Sequence, residues 1–335
     1  MLPGLRYDAR PVSSPFSQLV NPLSPTTKAQ LQIHFCVLLW GFTAILGKLI
    51  TLGALALVWW RMLIVVGAIA LLPRAWRAVR AMRGRLRWAY AGIGVLVSLH
   101  WLTFYGAIKL SNASVGATCM ALATVFTALI EPRLAHRRFS RRELLLGIAV
   151  LPGVALVVGG VPHDMRLGIV VGTVSALFVA LFSSLNKRLV EHADPLTVTA
   201  VELGAGTIAL TLLAPLLPWV FPALGGKLFV LPGAHDALFL LALALACTLL
   251  PFTLSLVALR HMSAFAAQLA VNLEPVYAIV LAIVLLREQR ELTPQFYAGV
   301  AIILGAVLLY PLISRARPLR HPEMLGTAEA KGSAD

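Results

Sequence analysis

Long apolar segments follow one another along the chain, separated by short polar stretches. The run from Leu238 to Leu250 is almost unbroken, whereas a strand of a membrane barrel alternates apolar and polar residues. Each segment has about the length that a helix needs to cross a bilayer. The pattern therefore predicts an all-α polytopic membrane protein with ten transmembrane helices at residues 30–52, 55–73, 88–108, 111–133, 143–160, 167–187, 196–219, 236–258, 263–286 and 293–313.

Composition excludes an ordinary soluble domain. The 335 residues are 59% hydrophobic and 13% charged, against about 45–50% and 25% in soluble proteins. The formal net charge of +14 would suit a nucleic-acid partner, but of the 28 Lys and Arg only Arg61 lies deep inside an apolar segment. The other basic residues stand in tails, loops and helix ends, as in a protein that they orient in a lipid membrane. We expect no nucleic-acid partner.

The basic residues also predict the orientation. Assigned to alternating sides, 21 of the Lys and Arg fall on one side and 6 on the other, and the richer side is cytoplasmic. Both termini are then cytoplasmic, in a membrane of the bacterial inner type. Residues 1–29 and 314–335 are predicted as disordered tails, with no cleaved signal apparent. Cys36, Cys119 and Cys247 lie in separate apolar segments without metal-ligand spacing, so we expect buried thiols, no metal and no cofactor.

The chain repeats itself. A shift of 152 residues aligns Ser111–Leu134 with Ser263–Leu286, and places Gly147 on Gly299 and Gly153 on Gly305. This predicts two five-helix halves, at residues 30–160 and 167–313. Because five is odd, the second half is inverted relative to the first, a design common in secondary transporters. The alternative is chance likeness between apolar helices.

Several short motifs resemble the EamA family of the drug/metabolite transporter superfamily over residues 31–313. They are Leu39-Trp40-Gly41-Phe42, Arg61, Tyr105-Gly106-Ala107-Ile108-Lys109-Leu110-Ser111-Asn112-Ala113-Ser114, Leu273-Glu274-Pro275-Val276 and Glu288. The resemblance implies two inverted EamA repeats and export or exchange of small metabolites, amino acids prominent among them. One departure is Ala123, which stands where the second repeat has Pro275, while Glu131-Pro132 follows eight residues later. We therefore expect the first-repeat site to differ from the family pattern.

Two charges inside apolar segments are candidate site residues. Arg61 lies about 10 Å along its helix, where it can bind a substrate carboxylate or an acid on a neighbouring helix; snorkelling to the interface beside Trp59 and Trp60 is the alternative. Glu202 follows 141 residues later, at roughly the equivalent place in the second half. The two would line opposite ends of one pathway, unless Glu202 merely points at water near a helix start.

The ninth segment carries the sharpest local feature. Pro275 removes a backbone donor and clashes with the carbonyl of the residue four positions back, so the helix should break beside Glu274, and broken helices form transporter binding sites. Gln268 and Asn272 share one helical face that Glu274 does not share in a straight helix. Either the break turns Glu274 toward a cavity or it serves helix packing.

The remaining candidates are polar or aromatic. His100 near mid-membrane could titrate or contact substrate, and a hydrogen bond between helices is the simpler interpretation. Tyr105 lies near it in sequence, and Trp40 and Tyr277 are candidate pocket walls. Asn112, Ser111 and Ser114 fit the cap of a helix start.

Taken together, these features predict a secondary transporter, an exporter, of small-molecule metabolites such as amino acids by alternating access, with protons on Glu274 as the coupling ion. No Walker-type sequence appears, which excludes ATP-driven transport by this chain alone. Two alternatives stay open: an intramembrane enzyme acting on lipid substrates, and a membrane receptor or structural subunit. An enzyme would cluster its acid, base or nucleophile near one interface, whereas the polar residues here spread over several helices.

Overall fold

A computed structural model describes residues 24–287 and 292–313. The predicted tails fall mostly outside this part of the chain, as does Glu288 of the family motif. All secondary structure in the described residues is helical. The α-helices are α1 (Pro25–Leu49), α2 (Ala54–Ala70), α3 (Pro73–Ala81), α4 (Gly84–Leu110), α5 (Ala113–Cys119), α6 (Leu122–Leu134), α7 (Arg141–Gly159), α8 (Arg166–Leu189), α9 (Pro195–Leu213), α10 (Leu217–Val220), α11 (Ala234–Leu241), α12 (Leu250–Leu259), α13 (Ala264–Val271), α14 (Glu274–Leu281) and α15 (Pro294–Ile313). Segments of π-helix at Ala242–Leu249 and Ala282–Leu286 continue α11 into α12 and extend α14.

The helices have the length and hydropathy of a polytopic membrane protein. Within the described residues, 7 helical spans satisfy both criteria, and several of them combine consecutive helices, such as α5 with α6 and α13 with α14. The number is 8 if the bent pair α2 and α3 counts as one span. Cys36, Cys119 and Cys247 are buried free thiols, as predicted.

Helix boundaries follow local signals. The Ser24 hydroxyl accepts a hydrogen bond from the Thr27 backbone N–H at 3.1 Å, and Pro25 occupies the first turn, so α1 begins before the predicted start at residue 30. The α9 helix ends at Leu213, short of the predicted residue 219, and the chain continues as the separate short α10. The prolines Pro215 and Pro218 explain this early end, because neither can continue the backbone hydrogen-bond ladder.

The basic stretch predicted as a loop after the second segment is largely helical. The α3 helix turns by 97° from α2 after Leu71 and Leu72. Three arginines of α3 are exposed, as is the ring of Trp76, whose indole N–H donates to the Ala70 carbonyl at 2.9 Å. An exposed basic helix with a tryptophan is typical of a segment that lies along a membrane surface.

Two spans are broken at matching positions. The break between α13 and α14 falls at Asn272 and Leu273, directly before Pro275, as the sequence predicts. The break between α5 and α6 falls at Met120 and Ala121, exactly one repeat length of 152 residues earlier, although Ala123 replaces the proline there. The sequence does not predict this second break, because no proline marks it.

Residues from the two halves of the chain interleave. The α4 helix packs against α8 and α9, α1 packs against α12 and α14, and α2 packs against α9. The α7 helix packs against α15, where the backbones touch: a Cβ on Gly153 would lie 2.6 Å from the Gly299 carbonyl oxygen, and a Cβ on Gly299 would lie 2.5 Å from that of Gly153. The centre of the bundle is therefore shared between the halves.

Candidate functional site

A cavity of about 110 Å³ lies at this shared centre. Its walls come from α1, α2, α4, α8, α12, α13 and α14, and also from Met120 at the break between α5 and α6. Most of the lining is aromatic or aliphatic. Its polar and aromatic lining includes Trp40, Arg61, His100, Asn186, Gln268 and Glu274.

The cavity approaches one end of the bundle. We call this the α1 end, because α1 begins there. Asn186, Leu259 and Ala264 line the cavity within about a turn of helix ends on that side. At the opposite end, the Asp236 carboxylate accepts hydrogen bonds from the Thr51 backbone N–H at 3.0 Å and from its hydroxyl at 2.7 Å. This Thr51–Asp236 contact joins the two halves at the end opposite to the α1 end.

Arg61 is the cationic residue that lines the cavity. It is 2% exposed, so it does not snorkel to an interface. Its Nε donates to the Thr248 hydroxyl at 2.5 Å and its Nη1 donates to the Tyr105 hydroxyl at 2.9 Å, while the guanidinium lies 3.9 Å from the centroid of the Trp101 ring. No carboxylate lies within 4 Å of it in the described part of the chain. Its partners are neutral, which leaves its positive charge available to an anion.

Two local features hold these partners in place. Thr248 belongs to the π-helix between α11 and α12, and its hydroxyl donates to the Leu243 carbonyl at 2.6 Å. Such wide turns occur often at functional sites. The Tyr105 ring packs onto the backbone of Gly47, where any Cβ would collide with it. Gly47 therefore lets Tyr105 reach Arg61, and the sequence alone does not point to either Thr248 or Gly47.

Glu274 and Gln268 bring further polar groups to the same cavity. Glu274 is the first residue of α14, directly after the break, and is 6% exposed. Its carboxylate has no hydrogen-bond or ion-pair partner among the described residues, and the Gln268 Nε2 is buried without one. Glu274 and Gln268 both line the cavity, on either side of the break. The cavity thus contains a cation, a carboxylate and an unpaired amide.

Three candidates around the same break lie elsewhere. The Asn272 amide donates to the Thr124 hydroxyl at 2.6 Å, so it joins the two broken spans instead of lining the cavity. Tyr277 packs on Gly41 of α1 and is partly exposed. Pro275 is buried and shapes the helix. Asn272, Tyr277 and Pro275 thus pack or shape the helices around the cavity and do not line it.

His100 contributes to both the wall and the packing. Its Nδ1 lies 2.8 Å from the Ser175 hydroxyl, and that hydroxyl donates to the His100 carbonyl at 2.9 Å. The predicted hydrogen bond between helices is confirmed, here between α4 and α8. The ring also faces the cavity.

Glu202 lies behind the wall. It is fully buried, which excludes the alternative that it points at water, and its Oε2 accepts a hydrogen bond from the Asn186 Nδ2 at 3.3 Å. Asn186 lines the cavity and Glu202 does not. Arg61 and Glu202 therefore do not both face the pathway in this structure.

Glu131 is a functional candidate that sequence reasoning treated only as a displaced motif. It is 1% exposed, and its two oxygens accept hydrogen bonds from the backbone N–H groups of Ala264 at 2.9 Å and Phe265 at 2.8 Å. Arg137 pairs with the same carboxylate at 3.0 Å and also with Glu143. Glu131 thus caps the start of α13, which forms part of the cavity wall, from a helix of the other half. Asn112 caps α5 in the ordinary way, accepting from the Val115 N–H at 2.9 Å, as predicted.

The family comparison agrees with this geometry. The model of the EamA-like transporter family matches residues 27–159 and again residues 166–311. This chain belongs to the EamA-like transporter family. Each of the two matched ranges of this EamA-like protein contains one of the two broken spans and contributes part of the cavity wall.

Individual relatives are more distant. A protein of Clostridium kluyveri, described as an uncharacterized transporter, is 24% identical over 279 residues, which is 79% of this chain and 86% of the relative. One solved crystal structure of a protein superposes with a TM-score of 0.61 over 86% of this chain and 97% of that chain, at 17% sequence identity. This second likeness concerns the fold alone.

Proposed function

We propose that this EamA-like protein is a secondary transporter that exports small metabolites such as amino acids by alternating access. The observation that carries the proposal is a cavity between the two halves that holds a buried arginine without an acidic partner and a buried carboxylate without a basic one. A ligand with its own carboxylate and ammonium groups would supply both missing partners.

The proposed architecture is ten membrane-spanning helices in two inverted five-helix repeats, at residues 30–160 and 167–313. Three observations support it: the family model matches twice, the two helix breaks stand 152 residues apart, and equivalent cations bind equivalent helix ends. Lys109 Nζ donates to the Ile50 carbonyl beyond α1 at 2.5 Å, and Arg260 Nη2 donates to the Ala193 carbonyl beyond α8 at 2.9 Å. Both cations stabilise carbonyl groups that the helix leaves unpaired.

The proposed orientation places both termini in the cytoplasm, with the chain in a bacterial inner membrane. The α1 end is then cytoplasmic, so the cavity described above approaches the side from which an exporter takes its substrate. Closure of that side and opening of the Thr51–Asp236 contact at the other would complete one transport step.

Within the cavity, Arg61 is proposed to bind the substrate carboxylate and Gln268 to donate a further hydrogen bond. Glu274 would face the ammonium group or carry a coupling proton, and Trp40 and His100 would bound the space. Membrane lipid surrounds the outer helix faces. Tyr105 acts through Arg61, as a positioning residue.

Uptake and efflux of labelled amino acids by proteoliposomes of the purified protein test this function. We expect flux above that of empty liposomes, and competition by unlabelled substrate. Absence of flux across a broad panel of metabolites would contradict transport and favour the receptor or enzyme alternatives.

A further inference from the structure

Glu202 and Asn186 form a buried polar pair that has fewer hydrogen-bond donors than acceptor oxygens. Asn186 Nδ2 donates to Glu202 Oε2, while Glu202 Oε1 and Asn186 Oδ1 are both buried acceptors without a partner among the described residues. A buried acceptor that lacks a donor is costly, and an ionised carboxylate in that position is more so. The pair as it stands contains three acceptor oxygens and one donor group.

No basic side chain relieves this shortage. The α4 helix crosses α9 closely here, since a Cβ on Gly94 would collide with the Glu202 carbonyl. Tyr90 of α4 does not donate to Glu202, because its hydroxyl donates to the Leu189 carbonyl at 2.6 Å. From α2, Arg61 is bound to Thr248 and Tyr105.

The remaining helices around α9 give the same result. Arg260, at the end of α12, donates to the carbonyls of Val190 and Ala193, and Lys187 of α8 donates to the Leu259 carbonyl at 2.6 Å. The arginines of α3 are exposed: Arg74, Arg77 and Arg80. Arg87 of α4 donates to the Met82 carbonyl at 3.0 Å, and Arg85 of α4 and Arg188 of α8 are exposed, so these cations are also engaged elsewhere or exposed.

We propose that Glu202 and Asn186 are a proton-binding site in the cavity wall, with the proton held on Glu202 Oε1 in the conformation described. The O–H bond forms with a proton taken from hydronium, which leaves as water, and the carboxylate becomes a neutral acid. Oε2 then remains the carbonyl that accepts from Asn186 Nδ2. After a small side-chain rotation, Oε1–H donates to Asn186 Oδ1, so one proton satisfies both unpaired acceptors.

Asn186 is the connection to the transport pathway. Its side chain lines the cavity and donates to Glu202, so Asn186 stands between the proton site and the cavity, and a movement of Asn186 would expose Glu202 to water there. Loss of the proton would leave a buried charge, so the bound proton stabilises the Asn186–Glu202 contact, a side-chain hydrogen bond that joins α8 to α9. This last step rests on the proposed function, whereas the presence of the proton does not.

Infrared difference spectroscopy of the purified protein in lipid films detects the proton directly. At neutral pH we expect a carboxylic acid C=O band that is lost in Glu202→Gln and unchanged in Glu191→Gln, an exposed carboxylate eleven residues earlier in the same half. The spectrum of Glu274→Gln, recorded in parallel, identifies any carboxylic acid band that comes from Glu274 in the cavity and not from Glu202. A Glu202→Gln spectrum identical to that of the wild type would overturn the proposal.

A second variant keeps the test independent of the folding of Glu202→Gln. Asn186→Leu removes the donor to Oε2, so the acid C=O band should move to higher frequency, because hydrogen bonds to a carbonyl lower its stretching frequency. An unmoved band in folded Asn186→Leu would also contradict the site. A protein that shows the band and its shift but transports nothing would retain the proton site and lose the proposed transport function.

Discussion

At the scale of single residues, the site depends on a buried cation whose partners are neutral. Arg61 is fixed by two hydroxyl groups and one indole ring, and none of these cancels its charge. Burial of such a cation is costly unless it is well hydrogen-bonded. The hydroxyl groups of Thr248 and Tyr105 therefore determine both the orientation and the stability of the charge.

Thr248→Val tests this dependence with little change of shape. It removes the acceptor of the Arg61 Nε–H, and hydrogen bonds to charged groups contribute about 1.5–3 kcal/mol. We expect substrate affinity to fall about tenfold, equivalent to about 1.4 kcal/mol, measured from the concentration dependence of uptake in proteoliposomes. The control is Thr207→Val, since the Thr207 hydroxyl donates to the Leu203 carbonyl within α9 and does not line the cavity. Equal affinities in the two variants would contradict the role of Thr248.

Glu274→Gln tests the coupling proton. The substitution retains the size and hydrogen-bonding capacity of the side chain and removes its titration. If coupling runs through Glu274, the variant loses accumulation driven by a pH gradient and retains substrate exchange at equilibrium. Both are measured in the same proteoliposomes. Full gradient-driven accumulation would exclude the role, and loss of folded protein from detergent extracts would favour a structural one.

At the scale of elements, the broken spans and the glycine contact shape the cavity. The breaks before Leu122 and Glu274 are joined by the Asn272–Thr124 hydrogen bond, and Met120 and Glu274 beside them line the cavity. Glu131 fixes the start of α13 from the other half. These contacts join the halves across the cavity, while α7 and α15 join them on one side.

Gly153→Ala tests the α7–α15 contact. Its new methyl group would press on the Gly299 carbonyl and on Ile303, and overpacking costs about 1–3 kcal/mol. We expect a lower thermal midpoint in detergent. The matched control is Gly305→Ala, the repeat counterpart of Gly153, where a Cβ meets nothing within 4 Å. There the midpoint should stay or rise, because alanine favours a helix by about 1 kcal/mol over glycine. Equal losses in both variants would contradict close packing as the cause.

At the scale of the whole molecule, the charges and the helix directions predict one orientation. Arg85 and Arg137 lie at the α1 end, and Asp164 and Lys227 lie at the opposite end. Reporter fusions after Arg85, Arg137 and Arg320 should be cytoplasmic, and those after Asp164 and Lys227 should be external. A reporter that is active on one side of the membrane only measures this. A reversed result at any two positions would refute the orientation.

The sequence by itself determined the class of the protein and much of its helical order. Burial of apolar side chains in lipid requires long uninterrupted runs, and these are visible without any structure. The break before Glu274 was predictable, because proline removes a backbone donor wherever it stands. The EamA resemblance rested on local motifs in order, and the family match bears it out.

Only the tertiary structure decided which polar residues share a cavity. The partners of Arg61 come from residues 44 and 187 positions away in the chain, and the two backbone donors to Glu131 from more than 130 positions away. Periodicity cannot specify such pairs, because it orients a side chain around its own helix but not relative to another helix. For the same reason Glu202 and Asn272 were predicted near the pathway, although close packing at Gly94 and the bond to Thr124 place them behind it.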